Sequence, residues 1–319
     1  KHFQQQEGYS VAVKNPNLLK SGDTVALLGP SSPMKNEEEI TGCVKFLEGI
    51  GLHVKQYPTV RLKEDYLAGT DKQRAKDLNT AFGDKQVQGI VAMRGGYGAH
   101  RLLPLIDWKR AAKSRKMLVG FSDITSLIGG LTRESGLASL HAPTPSYFLH
   151  GKPGEAESRE ALRRFLFGDL PKKVSYRDLC GDAFKPRTIH KGKATGMLVG
   201  GNASVFVCFL GTRYLPKAKS LILFLEEIGE KPYRVDRFIT HMINAGYMKN
   251  VKGVVLGDFT DCEPTGGDQR KVLEVLADCL TPLRIPVLAG LPVGHARPSF
   301  PLMMGREVTV NATKGDLIA

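Results

Sequence analysis

Apolar and polar positions follow two rhythms along the first half of the chain. Four short apolar or alternating runs, Thr24–Leu28, 52–57, 89–93 and Met117–Gly120, have the length and pattern of strands. Residues 37–51 and 72–82 between them space their apolar positions as a helix does, and a further helix is predicted from the turn at 94–98 through Leu105. Such alternation implies a parallel sheet flanked by helices. The segment 151–192 is basic and is broken by Pro171, Gly181 and Pro186. Past a short helix predicted at Glu155–Phe167, it reads as a connection. Strands are predicted again at 196–199, 221–225, 251–256, 286–289 and Glu307–Asn311, with helices at 203–210, 233–245 and 269–280. The expected organisation is a first α/β domain at 1–168, a linker at 169–192 and a smaller α/β domain at 193–319.

Bulk properties narrow the picture. A chain of 319 residues is long enough for two domains, and 42% hydrophobic residues provide a sizeable core. No apolar run approaches the 18 residues of a membrane span. The net charge of +13 raises the question of nucleic acid. However, the densest basic run (Lys109, Arg110, Lys113, Arg115, Lys116) has no interleaved aromatics, and no nucleic-acid-binding motif is visible. It reads as a solvated helix face, and the charge suits a polyanionic setting such as an envelope or an acidic substrate. Five widely spaced cysteines support neither a disulfide framework nor a zinc site. Most read as buried small hydrophobes, with Cys262, in a polar loop, as the exception. Neither an H-E-x-x-H pattern nor a His/Cys cluster occurs, so no metal and no other cofactor is expected. The sequence begins at Lys1 without Met or an apolar leader core, which fits a removed leader or a cropped sequence. That start and the basic charge favour a periplasmic setting, while the odd cysteine count favours the cytoplasm.

Candidate chemistry gathers where strands end. The run 117–120 stops at Gly120, and Ser122 follows on the turn into a helical pattern. A nucleophile can be displayed this way, although Ser-Asp at such a place also serves as a helix N-cap. Arg94-Gly95-Gly96-Tyr97-Gly98 closes another strand and can aim backbone N–H groups at an anion or oxyanion. It lacks the spacing of a dinucleotide fingerprint. Glu226 and Glu227 end the run 221–225, where a carboxylate can orient an imidazole. Strand alternation sends them to opposite faces, so one at most reaches the site. Glu230 competes, and all three could instead be surface acids paired with Lys231, Arg234 or Arg237. His295 lies in a loop dense in Gly and Pro and is the leading candidate base. His141 is the second.

Together these segments resemble the LD-carboxypeptidase family of serine peptidases. The resemblance runs from Gly29-Pro-Ser-Ser-Pro33 to Met304-Gly305 and rests on several pieces in order. They are Arg94-Gly-Gly-Tyr-Gly98, Gly120-Phe-Ser-Asp123, Gly200-Gly-Asn202, Leu210-Gly-Thr212, Leu225-Glu-Glu-Ile-Gly-Glu230, Tyr233-Arg-Val-Asp-Arg237, Gly257-Asp-Phe259 and Gly294-His295. It implies a two-domain α/β fold with the active site at the interface, and commonly a homodimer. It implies a triad of Ser122 as nucleophile, His295 as base and Glu226 as orienter, with an oxyanion hole of N–H groups near Gly96 and Asp123. Gly95 and Tyr97 would line the substrate site, and Arg94, Arg101 or Arg297 would hold a terminal carboxylate. The implied substrate is the murein tetrapeptide stem, cut before its terminal D-alanine. One departure concerns substrate fit: the family's His-Gly-Pro-Met appears here as His141-Ala-Pro-Thr144. Competing expectations are an endopeptidase on crosslinked murein, a microcin-immunity type of peptidase, and a solute-binding protein without catalysis.

Overall fold

In the computed structural model, which describes residues 12–264 and 270–319, the strands form two sheets. The first contains β1 (Thr24–Leu28), β2 (His53–Gln56), β3 (Gly89–Ala92), β4 (Met117–Gly120) and β5 (Ser139–His141), all parallel. The second contains β6 (Arg187–His190), β7 (Lys193–Asn202), β8 (Leu221–Ile228), β9 (Val251–Thr260) and β10 (Val287–Ala289). There β7 to β10 are parallel and β6 lies antiparallel at one edge. After β10 the chain returns to the first sheet, where β11 (Leu302–Met304) pairs antiparallel with β5. It then closes the other edge of the second sheet with β12 (Glu307–Asn311) and β13 (Asp316–Ile318). The orders are β11-β5-β4-β3-β1-β2 and β13-β12-β7-β8-β9-β10-β6.

Nine α-helices accompany the strands among the described residues: α1 (Glu37–Gly49), α2 (Asp71–Gly83), α3 (Trp108–Ser114), α4 (Thr125–Gly130), α5 (Glu155–Phe167), α6 (Tyr176–Cys180), α7 (Ala203–Phe206), α8 (Pro232–Asn244) and α9 (Val272–Leu280). Their starts are written locally. The Asn36 side chain accepts from Glu39 N at the head of α1, where three glutamates complement the helix dipole. Thr70 and Gln73 form a capping box on α2.

The α/β alternation is as the hydrophobic pattern predicts, and the departures have local causes. The helix expected through Leu105 is a 3₁₀ stretch at Ala99–Leu105, since Pro104 has no N–H to give. The helix expected at 203–210 ends at Phe206 and tightens into a 3₁₀ turn. The expected linker 169–192 carries α6 and β6, so it belongs to the packed fold. The start of the helix expected at 269–280 lies outside the described residues, as does the stretch around Lys1.

The central parallel strands β1, β3, β4 and β8 are buried on both faces, which is why their sequences are near-continuous apolar runs, whereas edge strand β2 is partly exposed and mixed. One core cluster unites Leu27, Val91 and Val119 of the first sheet with Leu198, Phe224 and Val255 of the second. Each such buried side chain contributes about 2 kcal/mol of transfer free energy. The two sheets therefore share a core, and the carboxyl ends of β3, β4 and β8 come together at one site.

Candidate active site

Ser122 follows β4 and adopts φ 60, a left-handed conformation that costs a non-glycine residue energy. Sharp strand-to-helix turns of this kind lift a hydroxyl clear of the sheet. The next turn packs directly on it. A Cβ added to Gly95 would lie 2.9 Å from Ser122 Cβ and 3.1 Å from its Oγ, so a side chain there would displace the hydroxyl. Ser122 and Asp123 open a short 3₁₀ turn, Ser122–Ile124, whose first N–H groups have no partner within the turn.

Asp123 also acts through its side chain. The carboxylate is buried and accepts from Ser31 Oγ at 2.6 Å and from Ala99 N at 2.8 Å. Burial raises its pKa, while those two donors favour the charged form. It ties the Ser122 turn to the loops after β1 and β3. Ser32 adds a contact by accepting from Tyr97 N at 3.1 Å. Buried Arg74 extends the brace, donating to Pro30 O at 2.7 Å and Gly69 O at 3.1 Å and pairing with Asp71.

The acid and the imidazole come from the second half. Glu226 lies within β8, fully buried, and its Oε2 is 2.7 Å from His295 Nδ1. Gly294 makes this approach possible: its φ is 143, and a Cβ there would meet Glu226 Oε2 at 3.0 Å. Burial opposes charge on His295, but Glu226 outweighs it, with help from Glu227 and Asp258, and the pKa ends above its ordinary value. The His295 loop is fastened to the first half. Tyr147 Oη donates to Ala296 O at 2.8 Å, and Ser299 N donates to Ser158 Oγ at 2.8 Å. The Phe121 ring stands 4.7 Å from the imidazole, which places the residue before Ser122 against His295. Among the described residues no hydrogen bond joins Ser122 to His295, and contacts of this type tighten when substrate binds.

Two family models match the chain: the LD-carboxypeptidase N-terminal domain over residues 25–142 and its C-terminal domain over residues 195–310. The chain belongs to the LD-carboxypeptidase family. It is 38% identical to a Synechocystis sp. protein bearing the name of a carboxypeptidase, covering 95% of this chain and 96% of the relative. It is 30% identical to the murein tetrapeptide carboxypeptidase of Pseudomonas aeruginosa, covering 85% of this chain and 87% of that one. Among solved structures, a muramoyltetrapeptide carboxypeptidase from Oxalobacter formigenes superposes with TM-score 0.80 at 26% identity, covering 92% and 97%. MccF in complex with glutamyl sulfamoyl guanosine gives TM-score 0.84 at 22% identity, covering 96% and 98%, which shows a shared fold.

Of the other residues nominated from sequence, some lie where expected and some do not. Glu226 and Glu227 are buried, not surface acids. As alternation predicts, Glu227 turns away from His295, accepting from Asn202 Nδ2 at 2.8 Å and Ser204 N at 2.7 Å. Glu230 pairs with Arg234 at 3.3 Å. His141, the second candidate base, is buried between Phe121 and Phe224, with both ring nitrogens unpartnered among the described residues. Burial pushes its pKa down to about 4, so it is neutral and unfit to take up a proton. Arg297 is engaged by Glu155 at 3.2 Å and Tyr147 O at 2.9 Å, and Arg101 is paired with Asp71. Arg94 donates to Pro33 O at 3.1 Å and has no carboxylate partner among the described residues. Tyr97 is exposed and meets Tyr66 edge to face. Cys262 is buried, its thiol pushed up to about 11 by burial, and Cys208 is exposed instead. No metal-ligating cluster occurs, and no helix is long and apolar enough to cross a membrane, among the described residues.

Asp258 entered the sequence reading only within Gly257-Asp-Phe259 and was given no role there. It read as part of a strand-end Gly-Asp pair, and no periodicity distinguishes such an acid from a turn residue.

Proposed function

We propose that this LD-carboxypeptidase releases the terminal D-alanine of murein tetrapeptide stems by a serine mechanism. The observation that carries the reading is the buried 2.7 Å Glu226–His295 pair, with the imidazole 4.7 Å from the ring of Phe121, the residue before the strained Ser122. The name of the Pseudomonas relative supports the substrate. The residues divide as two working halves, 12–168 supplying the nucleophile and 193–319 the acid and base.

With Nδ1–H donated to Glu226, His295 keeps a lone pair on Nε2 and takes the Ser122 proton as Oγ attacks the amide carbonyl. Glu226 stabilises the resulting imidazolium. Backbone N–H groups of Gly96 and Asp123 receive the oxyanion, at about 3 kcal/mol per donor. The imidazolium then protonates the departing D-alanine amine. Water, activated by the same imidazole, cleaves the acyl-enzyme and restores Ser122. Arg94, which has no carboxylate partner among the described residues, receives the D-alanine carboxylate, while Gly95 and Tyr97 line the approach.

Purified murein tetrapeptide incubated with the enzyme and followed by mass spectrometry tests the reading. Wild type should shed one alanine, and Ser122→Ala should not. Full turnover by Ser122→Ala would exclude the serine. Wild type that ignores tetrapeptide yet trims another peptide would exclude the substrate.

A further inference from the structure

The pairing of β8 with β9 slips beside the site. Leu225 pairs with Leu256 but Glu227 with Phe259, so Gly257 and Asp258 together stand opposite Glu226. A bulge of this sort re-aims the side chains around it and is frequent beside active sites. Here it brings Asp258 under the His295 loop. Asp258 N donates to Val293 O at 2.9 Å, and the N–H of Ala296 faces its carboxyl group. Gly294 is wedged between the two acids: a Cβ there would lie 3.0 Å from Glu226 Oε2 and 3.1 Å from Asp258 Cβ. Oδ2 of Asp258 and Oε1 of Glu226 are both buried and without a hydrogen-bond partner in the described structure.

We propose that Asp258 is a positioning residue for His295: the bulge in β9 lets it hold the backbone on both sides of the imidazole and set the charge that the imidazole feels. The inference rests on the proposed role of His295 as base.

The surroundings define how it works. Asp258 faces Glu226 from β8, His295 and the Ala296 N–H from the loop, and Tyr147 from the turn at 145–148. His295 in turn faces Glu226, Asp258 and the neutral His141, and feels the charge of Glu227 from the far side of β8. Burial and the neighbouring Glu226 charge push the Asp258 carboxyl up to about 7. Below that pH it is a neutral acid, and Glu226 is the anion in contact with the imidazole. Above it a second anion forms near His295, which favours the imidazolium and holds back its action as a base. Asp258 thereby broadens the acid limb of the pH profile towards higher pH.

Asparagine keeps the shape and an acceptor for Ala296 N–H but cannot ionise. Asp258→Asn should move the acid limb of kcat/KM about one pH unit lower, with KM little changed. Asp258→Ala also removes the side-chain contact to Ala296 N–H and should lower kcat about 10–100-fold, again with KM little changed, since small misplacements of a catalytic group act on that scale. Asn should therefore recover most of what Ala loses. A second readout needs no substrate: the titration of the His295 ring proton followed by NMR in wild type and Asp258→Asn, with thermal melting to confirm folding. A lower His295 midpoint in the variant supports the proposal even if tetrapeptide proves to be the wrong substrate. An unchanged midpoint overturns it, as does an Asp258→Ala enzyme with wild-type kcat.

Discussion

Exchanging Glu226 for glutamine removes one negative charge and leaves shape and volume almost untouched. In the native site that charge sits 2.7 Å, oxygen to nitrogen, from His295 Nδ1 and is sealed from solvent. Taking charge centres about 4 Å apart and an effective dielectric of about 20, the imidazolium formed during catalysis loses about 4 kcal/mol of stabilisation. That amounts to about three powers of ten in rate. The amide can also donate to Nδ1 and so favour the wrong tautomer, which in a serine triad brings the loss to about 10⁴. The pH dependence gives an independent sign. Burial alone drives the His295 pKa down, and Glu226 is the main influence that raises it. The base works when neutral, so wild-type kcat/KM should climb with pH through a midpoint above 6.5, the ordinary histidine value. In Glu226→Gln the midpoint should fall below that value, on a plateau 10³–10⁴-fold lower. D-Alanine release measured from pH 5 to 9 provides both numbers. A variant within tenfold of wild type at its optimum, or one whose midpoint stays in place, would refute the role given to Glu226.

Three further outcomes are expected. Gly95→Ala places a methyl group against Ser122 and should lower kcat at least ~100-fold with a small change in melting temperature, checked by kinetics and calorimetry. Arg94→Met should raise KM for tetrapeptide about 10–100-fold, the worth of a charge-assisted bond to a carboxylate, and hardly change kcat; an unchanged KM would exclude Arg94 as the anchor. Arg74→Met leaves the carbonyls of Pro30 and Gly69 without their donor in a buried setting and should cost about 2–3 kcal/mol in denaturant unfolding.

The sheets were legible because parallel strands buried on both faces write themselves as apolar runs such as Thr24–Leu28 and Met117–Gly120. Ser122, Glu226 and His295 could be nominated for a related reason: each follows or ends such a run, or sits in a loop too rich in Gly and Pro to be a helix. Periodicity was silent wherever geometry depends on a distant partner. Asp258 owes its position to a slip in pairing with β8, which no local pattern encodes. Arg297 looked like a free cation in its loop, yet Glu155, far away in sequence, takes up its charge. His141 looked like a fair base until Phe121 and Phe224 closed over it. Edge strand β6 was read as linker because its half-exposed Arg187–His190 run carries no apolar stripe.

The return of β11 to the first sheet bears on the order in which the protein becomes dangerous. During synthesis the segment bearing Ser122 emerges long before Leu302–Met304, and until then β5 has a bare edge and the imidazole loop does not yet exist. Contacts this distant in sequence form late. On the proposed mechanism, a chain that stops short of His295 holds Ser122 without the base that would activate it. On the proposed mechanism, the strand that completes the Ser122 sheet and the loop that carries His295 both come from the stretch after β10, so one segment serves both halves of the site.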